Sequence, residues 1–232
     1  LLSGEPIQCV VQIGSVTLHE CANPKHDSET LRAEGAQFAA KPFDLSREQG
    51  FRAGLFEGAG GRQLLVLGIH HVGMDYWSLG ILVEELLVLY QRANAGNALE
   101  LPIPTYDYID FLIWQHRMLE GPQGDRLWSY WRDKLPRDSS VTELPTDRRR
   151  GKVQGYTGKT FSVRLEQCLS SSLKAYARSN GVTQNAVLLA TLCVLLHRHT
   201  GERALAVGCV TTGRTQAEHN RVVGYLANPV VI

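Results

Sequence analysis

Apolar residues recur along the chain with two spacings, one typical of helices and one typical of strands. Helical spacing predicts helices over 28–40, 77–96, 105–121, 125–135, 167–181 and 184–199. Short runs rich in β-branched and apolar residues predict strands over 8–20, 51–58, 62–71, 159–165, 204–214 and 224–232. Asp27 or Ser28 and Thr183 are candidate N-caps, and Gly96 and Gly181 are candidate helix ends. The pattern therefore predicts a mixed α/β (α+β) fold.

The strand predicted over 62–71 is nearly all apolar. Strands that are buried on both faces have this composition, so we expect it at the centre of a sheet. The glycine-rich segment 58–61 predicts a tight hairpin between this strand and strand 51–58. We expect the many aromatic residues of helices 105–121 and 125–135 to pack into the same core.

Residues 136–158 are polar, rich in proline and glycine, and typical of a linker. We therefore predict an N-terminal subdomain over 1–135 and a C-terminal subdomain over 159–232. The basic run Arg148–Arg150 would suit a phosphate, but a solvated linker is the simpler interpretation because no further basic residues stand beside it. The chain opens without methionine and closes inside a predicted strand, so we expect a piece of a longer polypeptide with both subdomains incomplete.

Composition and charge exclude several classes of function. Apolar residues make up 44% of the 232 residues, and the formal net charge is +1, so we expect neither a nucleic-acid partner nor a membrane partner. The longest apolar runs are too short to span a bilayer. The five cysteines form no CxxC pair, which argues against a disulfide framework and a zinc site. A reducing, cytoplasmic location fits this use of cysteine best.

The segment IHHVGMDYWSL (69–79) carries the candidate chemistry. Its strand delivers His70 and His71 to the carboxyl end of a sheet, where open α/β folds build their sites. Gly73 allows a sharp turn, and Asp75 precedes the next helix. One interpretation is structural, with a core histidine, a surface histidine and an N-cap. The other makes one histidine an acid–base or positioning group, because its ordinary pKa of ~6.5 lies near neutrality.

A metal centre is the weaker interpretation of these histidines. Adjacent residues on a strand point to opposite faces, so His70 and His71 are poorly placed to bind one ion. His197 and His199 are two residues apart on a predicted helix and face different sides. No third ligand accompanies either pair, and we therefore predict no metal.

The chain resembles the condensation domains of nonribosomal peptide synthetases, which belong to the chloramphenicol-acetyltransferase-like superfamily. HHVGMDYWSLGIL resembles the family motif HHxxxDG. Six further segments resemble family motifs in the same order: KPFDLS (41–46), YDYIDFLIWQ (106–115), LWSYWRDKL (127–135), LPTDRRR (144–150), VGCVTTGR (207–214) and GYLANPV (224–230). The resemblance runs through nearly the whole chain, which favours the functional interpretation of the histidines.

This resemblance implies two chloramphenicol-acetyltransferase-like subdomains around a tunnel, in an acyltransferase of secondary-metabolite biosynthesis. An acyl or peptidyl thioester would arrive on the phosphopantetheine of a donor carrier protein, and an aminoacyl group on that of an acceptor carrier protein. Attack of the amine would form an amide. The domain itself would bind no cofactor, and its partners would be the two carrier proteins and adjacent synthetase modules. A complete domain would be about twice this length, so we expect the 232 residues alone to be inactive.

The family motifs also imply roles for individual residues. His71 corresponds to the catalytic histidine, and Asp75 to an aspartate that pairs with the arginine corresponding to Arg214. The remaining assignments are His70 and Asn228 as supporting residues and Gly73, Tyr76 and Trp77 as candidates to line the substrate tunnel.

Two positions depart from the family motifs. Tyr76 replaces the glycine after the aspartate, which would narrow one tunnel mouth and hints at a polyketide donor. Pro229 replaces the threonine after the asparagine and removes a backbone donor.

Several alternatives to amide formation stay open. The order Trp77-Ser78 favours condensation over epimerization, and the two histidines argue against heterocyclization. An ester-forming or free-standing acyltransferase of the same superfamily is one alternative. A noncatalytic docking platform for partner enzymes is another.

Overall fold

The computed structural model of the chain describes residues 16–135, 144–148, 151–153 and 158–232. In chain order the elements are β1 (Leu18–Ala22), α1 (Ser28–Ala40), β2 (Phe51–Glu57), β3 (Gln63–Ile69), α2 (Tyr76–Asn94), α3 (Tyr108–Glu120), α4 (Pro122–Lys134), α5 (Gln167–Ser179), α6 (Gln184–Thr200), β4 (Gly208–Thr211) and β5 (Asn228–Val231). Single 3-10 turns lie at Ala59–Gly61 and Ala217–Arg221. The predicted mixed α/β class is confirmed.

Contacts between Cα atoms divide the chain into two compact units. The first contains the described residues up to Gln123 together with Val210–Asn228. The second contains the described residues of Gly124–Cys209 together with Pro229–Ile232. The subdomain boundaries at 135 and 159 stay a prediction, because most of the linker 136–158 lies outside the described residues.

The first unit contains a three-stranded sheet in the order β1-β2-β3. β1 is parallel to β2, and β2 is antiparallel to β3. The prediction that the apolar strand β3 is central is therefore wrong for the described residues, in which β2 is central. The apolar character of β3 serves packing instead, since Leu64 and Val66 join the core formed by Leu31 and Phe38 of α1 with Phe56 of β2.

The predicted helix starts are confirmed by their caps. The Asp27 carboxylate accepts the Thr30 N–H at 2.8 Å at the start of α1. The Thr183 hydroxyl accepts the Ala186 N–H at 3.1 Å at the start of α6. Each cap satisfies one backbone donor that the first helical turn leaves without a partner.

A second core cluster of the first unit is aromatic. Buried Phe111, Val222 and Leu226 pack with three partly buried aromatic residues, Tyr106, Tyr108 and Trp114. In contrast, Trp128 and Tyr130 of α4 are 69% and 53% exposed. The prediction that all these aromatic residues pack into the same core is therefore wrong for Trp128 and Tyr130, which are exposed.

Three strand predictions need correction or lie partly outside the described residues. Residues 159–165 form no strand, because no described segment pairs with them. The strand predicted over 204–214 is limited to β4, which is largely exposed and pairs with β5. Of the strand predicted over 8–20, residues 8–15 lie outside the described residues, and β1 continues to Ala22.

No single helix among the described residues is long and apolar enough to cross a bilayer. Only α5 and α6 taken together have the required length and composition, and they form a pair bent by 104°.

Candidate functional site

The two histidines lie where β3 turns into α2. The turn is closed by backbone bonds from the Gly73 N–H to the His70 carbonyl at 3.0 Å and from the Met74 N–H to the His71 carbonyl at 3.4 Å. The His70 ring contacts the Phe43 ring edge-on, with 6.0 Å between centroids. The role of His70 as a supporting residue stays a prediction.

His71 is exposed, and one edge of its ring is fixed. Its Nδ1 lies 2.9 Å from the Met74 carbonyl oxygen. Because a carbonyl can only accept, this bond requires the proton of a neutral imidazole to be on Nδ1. The lone pair is then on Nε2, which can accept a proton from a substrate.

Asp75 is buried, with 3% of its surface exposed. Its carboxylate accepts the Ser78 N–H at 2.8 Å, which caps α2. It also accepts the N–H groups of Leu226 at 3.0 Å and Ala227 at 3.1 Å. One carboxylate therefore binds both the start of α2 and a segment about 150 residues later in the sequence. Tertiary folding brings these two parts of the chain together.

The predicted contact between Asp75 and Arg214 is present. Arg214 donates from Nη1 to Asp75 Oδ2 at 2.7 Å and from Nη2 to Oδ1 at 3.2 Å, and both side chains are at most 2% exposed. Burial alone raises the pKa of Asp75, but the hydrogen bonds from Arg214, Ser78 and Leu226 outweigh it and lower this pKa to about 2. The pair is therefore ionised at neutral pH.

Ser78 is a member of the site that sequence reasoning missed. It is 0% exposed, and its hydroxyl oxygen lies 2.9 Å from the Gly224 carbonyl, 3.0 Å from the Gly224 N–H and 2.8 Å from Arg214 Nη2. The hydroxyl donates to the carbonyl and accepts from the two N–H donors. Its place three residues after a capping aspartate was the available signal, but that spacing indicates a helix start and not these distant partners.

His219 was also missed, and it lies in the aromatic cluster of the first unit. It is 0% exposed, with its ring centroid 4.6 Å from that of Trp114 and 5.1 Å from that of Phe111. Neither ring nitrogen has a hydrogen-bond partner among the described residues. Burial lowers the pKa of His219, and the charge of Arg214 adds to this effect against that of Glu218.

The predicted tunnel residues lie together at the start of α2. Gly73 is in the turn, Tyr76 is 88% exposed and Trp77 is 47% exposed. The Trp77 indole N–H donates to the Asn220 carbonyl at 3.0 Å. A groove of about 410 Å³ runs beside Tyr76 and Trp77. Their role toward a substrate stays a prediction.

Asn228 begins β5, where its carbonyl accepts the Thr211 hydroxyl at 2.9 Å. Its contribution to the site stays a prediction. Among the described residues, no group of three or more His, Cys, Asp or Glu side chains is arranged to hold a metal ion.

Comparison with known proteins extends this picture. The family profile of the condensation domain matches residues 2–232. A linear gramicidin synthase polypeptide of Brevibacillus parabrevis is 30% identical over 234 residues, which cover 99% of this chain and 3% of that polypeptide. The chondramide synthase of Chondromyces crocatus is 35% identical over 194 residues, which cover 84% of this chain and 5% of that protein. The chain thus spans a small part of these curated relatives.

Solved structures share the fold. The X-domain of teicoplanin biosynthesis, in complex with OxyB, matches with a TM-score of 0.82 and 24% identity, over 97% of this chain and 50% of that one. The first condensation domain of the calcium-dependent antibiotic synthetase, in complex with a substrate analogue, matches with a TM-score of 0.75 and 24% identity, over 94% and 50%. The chloramphenicol-acetyltransferase-like fold is confirmed, and this chain belongs to the condensation domain family of nonribosomal peptide synthetases.

Proposed function

We propose that the site around His71 transfers a carrier-bound acyl or peptidyl group to the amine of a carrier-bound aminoacyl group. The observation that carries this proposal is the His71 ring, which is exposed and has its Nδ1 engaged with the Met74 carbonyl. The neutral ring then presents Nε2 as an acceptor for the proton of an attacking amine.

The reaction proceeds in two steps at one carbonyl carbon. The amine nitrogen attacks the thioester carbon, and a tetrahedral intermediate forms with a C–N bond and an oxyanion. His71 Nε2 accepts the proton that the nitrogen loses. The carbonyl then reforms as the C–S bond breaks, and the thiolate takes up a proton to give the free phosphopantetheine thiol. The thioester supplies the free energy, so the step uses no nucleotide.

His71 has two ways to accelerate this reaction. An α-amino group has an ordinary pKa of ~7.7–8.0, so part of it is neutral at neutral pH. His71 therefore does not have to deprotonate the amine before the attack begins. Positioning the amine, and removing its proton as charge develops in the intermediate, contribute together.

The partners in this proposal are donor and acceptor carrier proteins and the adjacent synthetase modules, in the cytoplasm. Tyr76 projects into solvent beside the groove on α2, where a small residue would leave more room. We propose that it restricts the donor, in a nonribosomal peptide or hybrid polyketide–peptide pathway.

The test uses the full-length protein with both carrier proteins. One carrier is loaded with a donor acyl group and the other with an aminoacyl group, and the mass of the acceptor carrier is followed by intact-protein mass spectrometry. We expect the acceptor to gain the mass of the donor, and His71→Ala to lower the rate by about 10²–10⁴-fold, the contribution of a general base. His116→Ala is the matched control, because His116 is exposed on α3.

Other outcomes separate the alternatives. Transfer that persists in His71→Ala would contradict the role of His71. Transfer to a hydroxyl acceptor or from coenzyme A, without transfer to the carrier-bound amine, would indicate an ester-forming or free-standing acyltransferase. Binding of partner enzymes without any transfer would indicate a docking platform.

A further inference from the structure

We infer that Tyr225 is a positioning residue that holds the His71 ring in its reactive orientation. This inference rests on the proposed function of His71 and adds a residue to it. The two rings meet edge to face, with 5.0 Å between centroids and 80° between planes. Edge-to-face contact is a favourable arrangement of aromatic rings, so Tyr225 resists rotation of the imidazole.

The backbone around Tyr225 is fixed on both sides. Before it, the N–H and carbonyl of Gly224 are bound to the Ser78 hydroxyl at 3.0 and 2.9 Å. After it, the N–H groups of Leu226 and Ala227 are bound to the Asp75 carboxylate. The Tyr225 ring therefore projects from a backbone that cannot withdraw without breaking buried hydrogen bonds.

The carbonyl of Tyr225 has a further contact in the first unit. It accepts the Tyr108 hydroxyl at 3.3 Å, which links this residue to the start of α3. The start of α2 and the start of α3 thus hold the backbone of Tyr225 and its neighbours, while Tyr225 itself is 42% exposed. A side chain that needs only to fill a core would be buried, so the exposed ring against His71 points to a role at the reaction centre.

His71 has few other restraints. Within the part of the chain that the structure describes, its ring has one hydrogen bond, to Met74, and one aromatic contact, to Tyr225. The hydrogen bond fixes one edge of the ring but leaves it free to tilt about the Nδ1–O direction. The Tyr225 ring blocks that tilt, and the direction in which Nε2 points is then defined.

This arrangement connects the buried ion pair to the reaction. The Asp75 carboxylate binds the N–H groups of Leu226 and Ala227, the two residues that follow Tyr225. The network therefore acts on His71 along two paths, through the turn 71–75 and through the Tyr225 ring.

The test compares Tyr225→Leu with Tyr225→Phe in the full-length protein. In the carrier assay at varied acceptor concentration, we expect Tyr225→Leu to lower kcat about 10-fold with KM within about 2-fold, since a misplaced catalytic group lowers the rate more than the binding. Tyr225→Phe retains the ring and should keep most of the wild-type kcat. His116→Ala again reports the unchanged rate.

A spectroscopic signature separates positioning from stability. In protein labelled with 15N-histidine, we expect the His71 Nδ1 and Nε2 shifts of Tyr225→Leu to move toward those of free histidine, and those of Tyr225→Phe to stay near the wild-type values. Loss of rate with unchanged His71 shifts and a lowered melting temperature would reduce Tyr225 to a structural residue and overturn the inference.

One further measurement keeps the outcomes distinct. An NOE between the His71 and Tyr225 rings is expected in the wild type, and its absence overturns the inference whether or not any variant folds. If the wild type transfers no acyl group, the proposed function fails, whereas the NOE and the 15N shifts still report whether Tyr225 orients His71.

Discussion

Arg214 and Asp75 bring two opposite charges into the interior of the first unit. We expect Arg214→Ala to lower the free energy of unfolding by about 3–5 kcal/mol, because it leaves a buried carboxylate without its cation. Denaturant unfolding measures this loss. Arg47→Ala removes an arginine from an exposed pair with Asp44 and should cost less than about 1 kcal/mol. Equal losses in the two variants would contradict the role of burial.

His219 makes stability depend on pH. Its pKa is lowered in the folded state by burial, so the folded state binds fewer protons than the unfolded state below the ordinary value of ~6.5. Stability therefore falls as pH decreases through this value. We expect His219→Leu to flatten the change in urea midpoint between pH 7.5 and 5.5, while the exposed His199→Gln leaves it unchanged. A wild-type slope in His219→Leu would refute this explanation.

At the residue scale, the resemblance of two separate segments to family motifs predicted the pairing of Asp75 with Arg214, and this contact is present. The catalytic role of His71 stays a prediction. Ser78 and His219 were missed. The partners of the Ser78 hydroxyl are 136 and 146 residues away in the sequence, and the burial of His219 depends on α3. No local pattern encodes either environment.

Gly213 is required because its backbone lies very close to the backbone of Leu226. Gly213 has a φ of +68°, and a Cβ there would overlap the Leu226 carbonyl. We expect Gly213→Ala to lower the free energy of unfolding by about 1–3 kcal/mol, through strain and overpacking. Gly80→Ala in α2, where a Cβ meets nothing within 4 Å, should instead stabilise by about 0.5–1 kcal/mol. Thermal unfolding of both variants checks the opposite signs.

Helices and strands were predicted well when the residues that stabilise them lie within the element or next to it in the sequence. The starts of α1 and α6 follow from one capping side chain each, and both predictions are confirmed. Strands depend on partners elsewhere. β3 has the composition of a central strand but pairs on one side only in the described part of the chain, and residues 159–165 have strand-like composition without any described partner.

At the scale of the whole molecule, the order of motifs carried more information than any element. HHxxxD alone is compatible with a capped helix and two ordinary histidines. Seven motif-like segments in one order indicated the family, and the family profile over 2–232 confirms it. The division into compact units was less predictable, since Val210–Asn228 packs with the N-terminal residues. Its partners are set by tertiary contacts that a linear pattern does not encode.

The two halves of the Asp75 network are made at different times during translation. Asp75 and Arg214 are 139 residues apart, and the N–H groups that complete the carboxylate come 151 and 152 residues after it. At ~5–20 residues per second, the ribosome needs roughly 7–30 s to reach Arg214 after Asp75 has been added. Throughout that interval the carboxylate has no guanidinium, and the His71 turn has no Tyr225 beside it. The nascent chain therefore organises the surroundings of Asp75 and His71 only after the segment 210–228 has emerged.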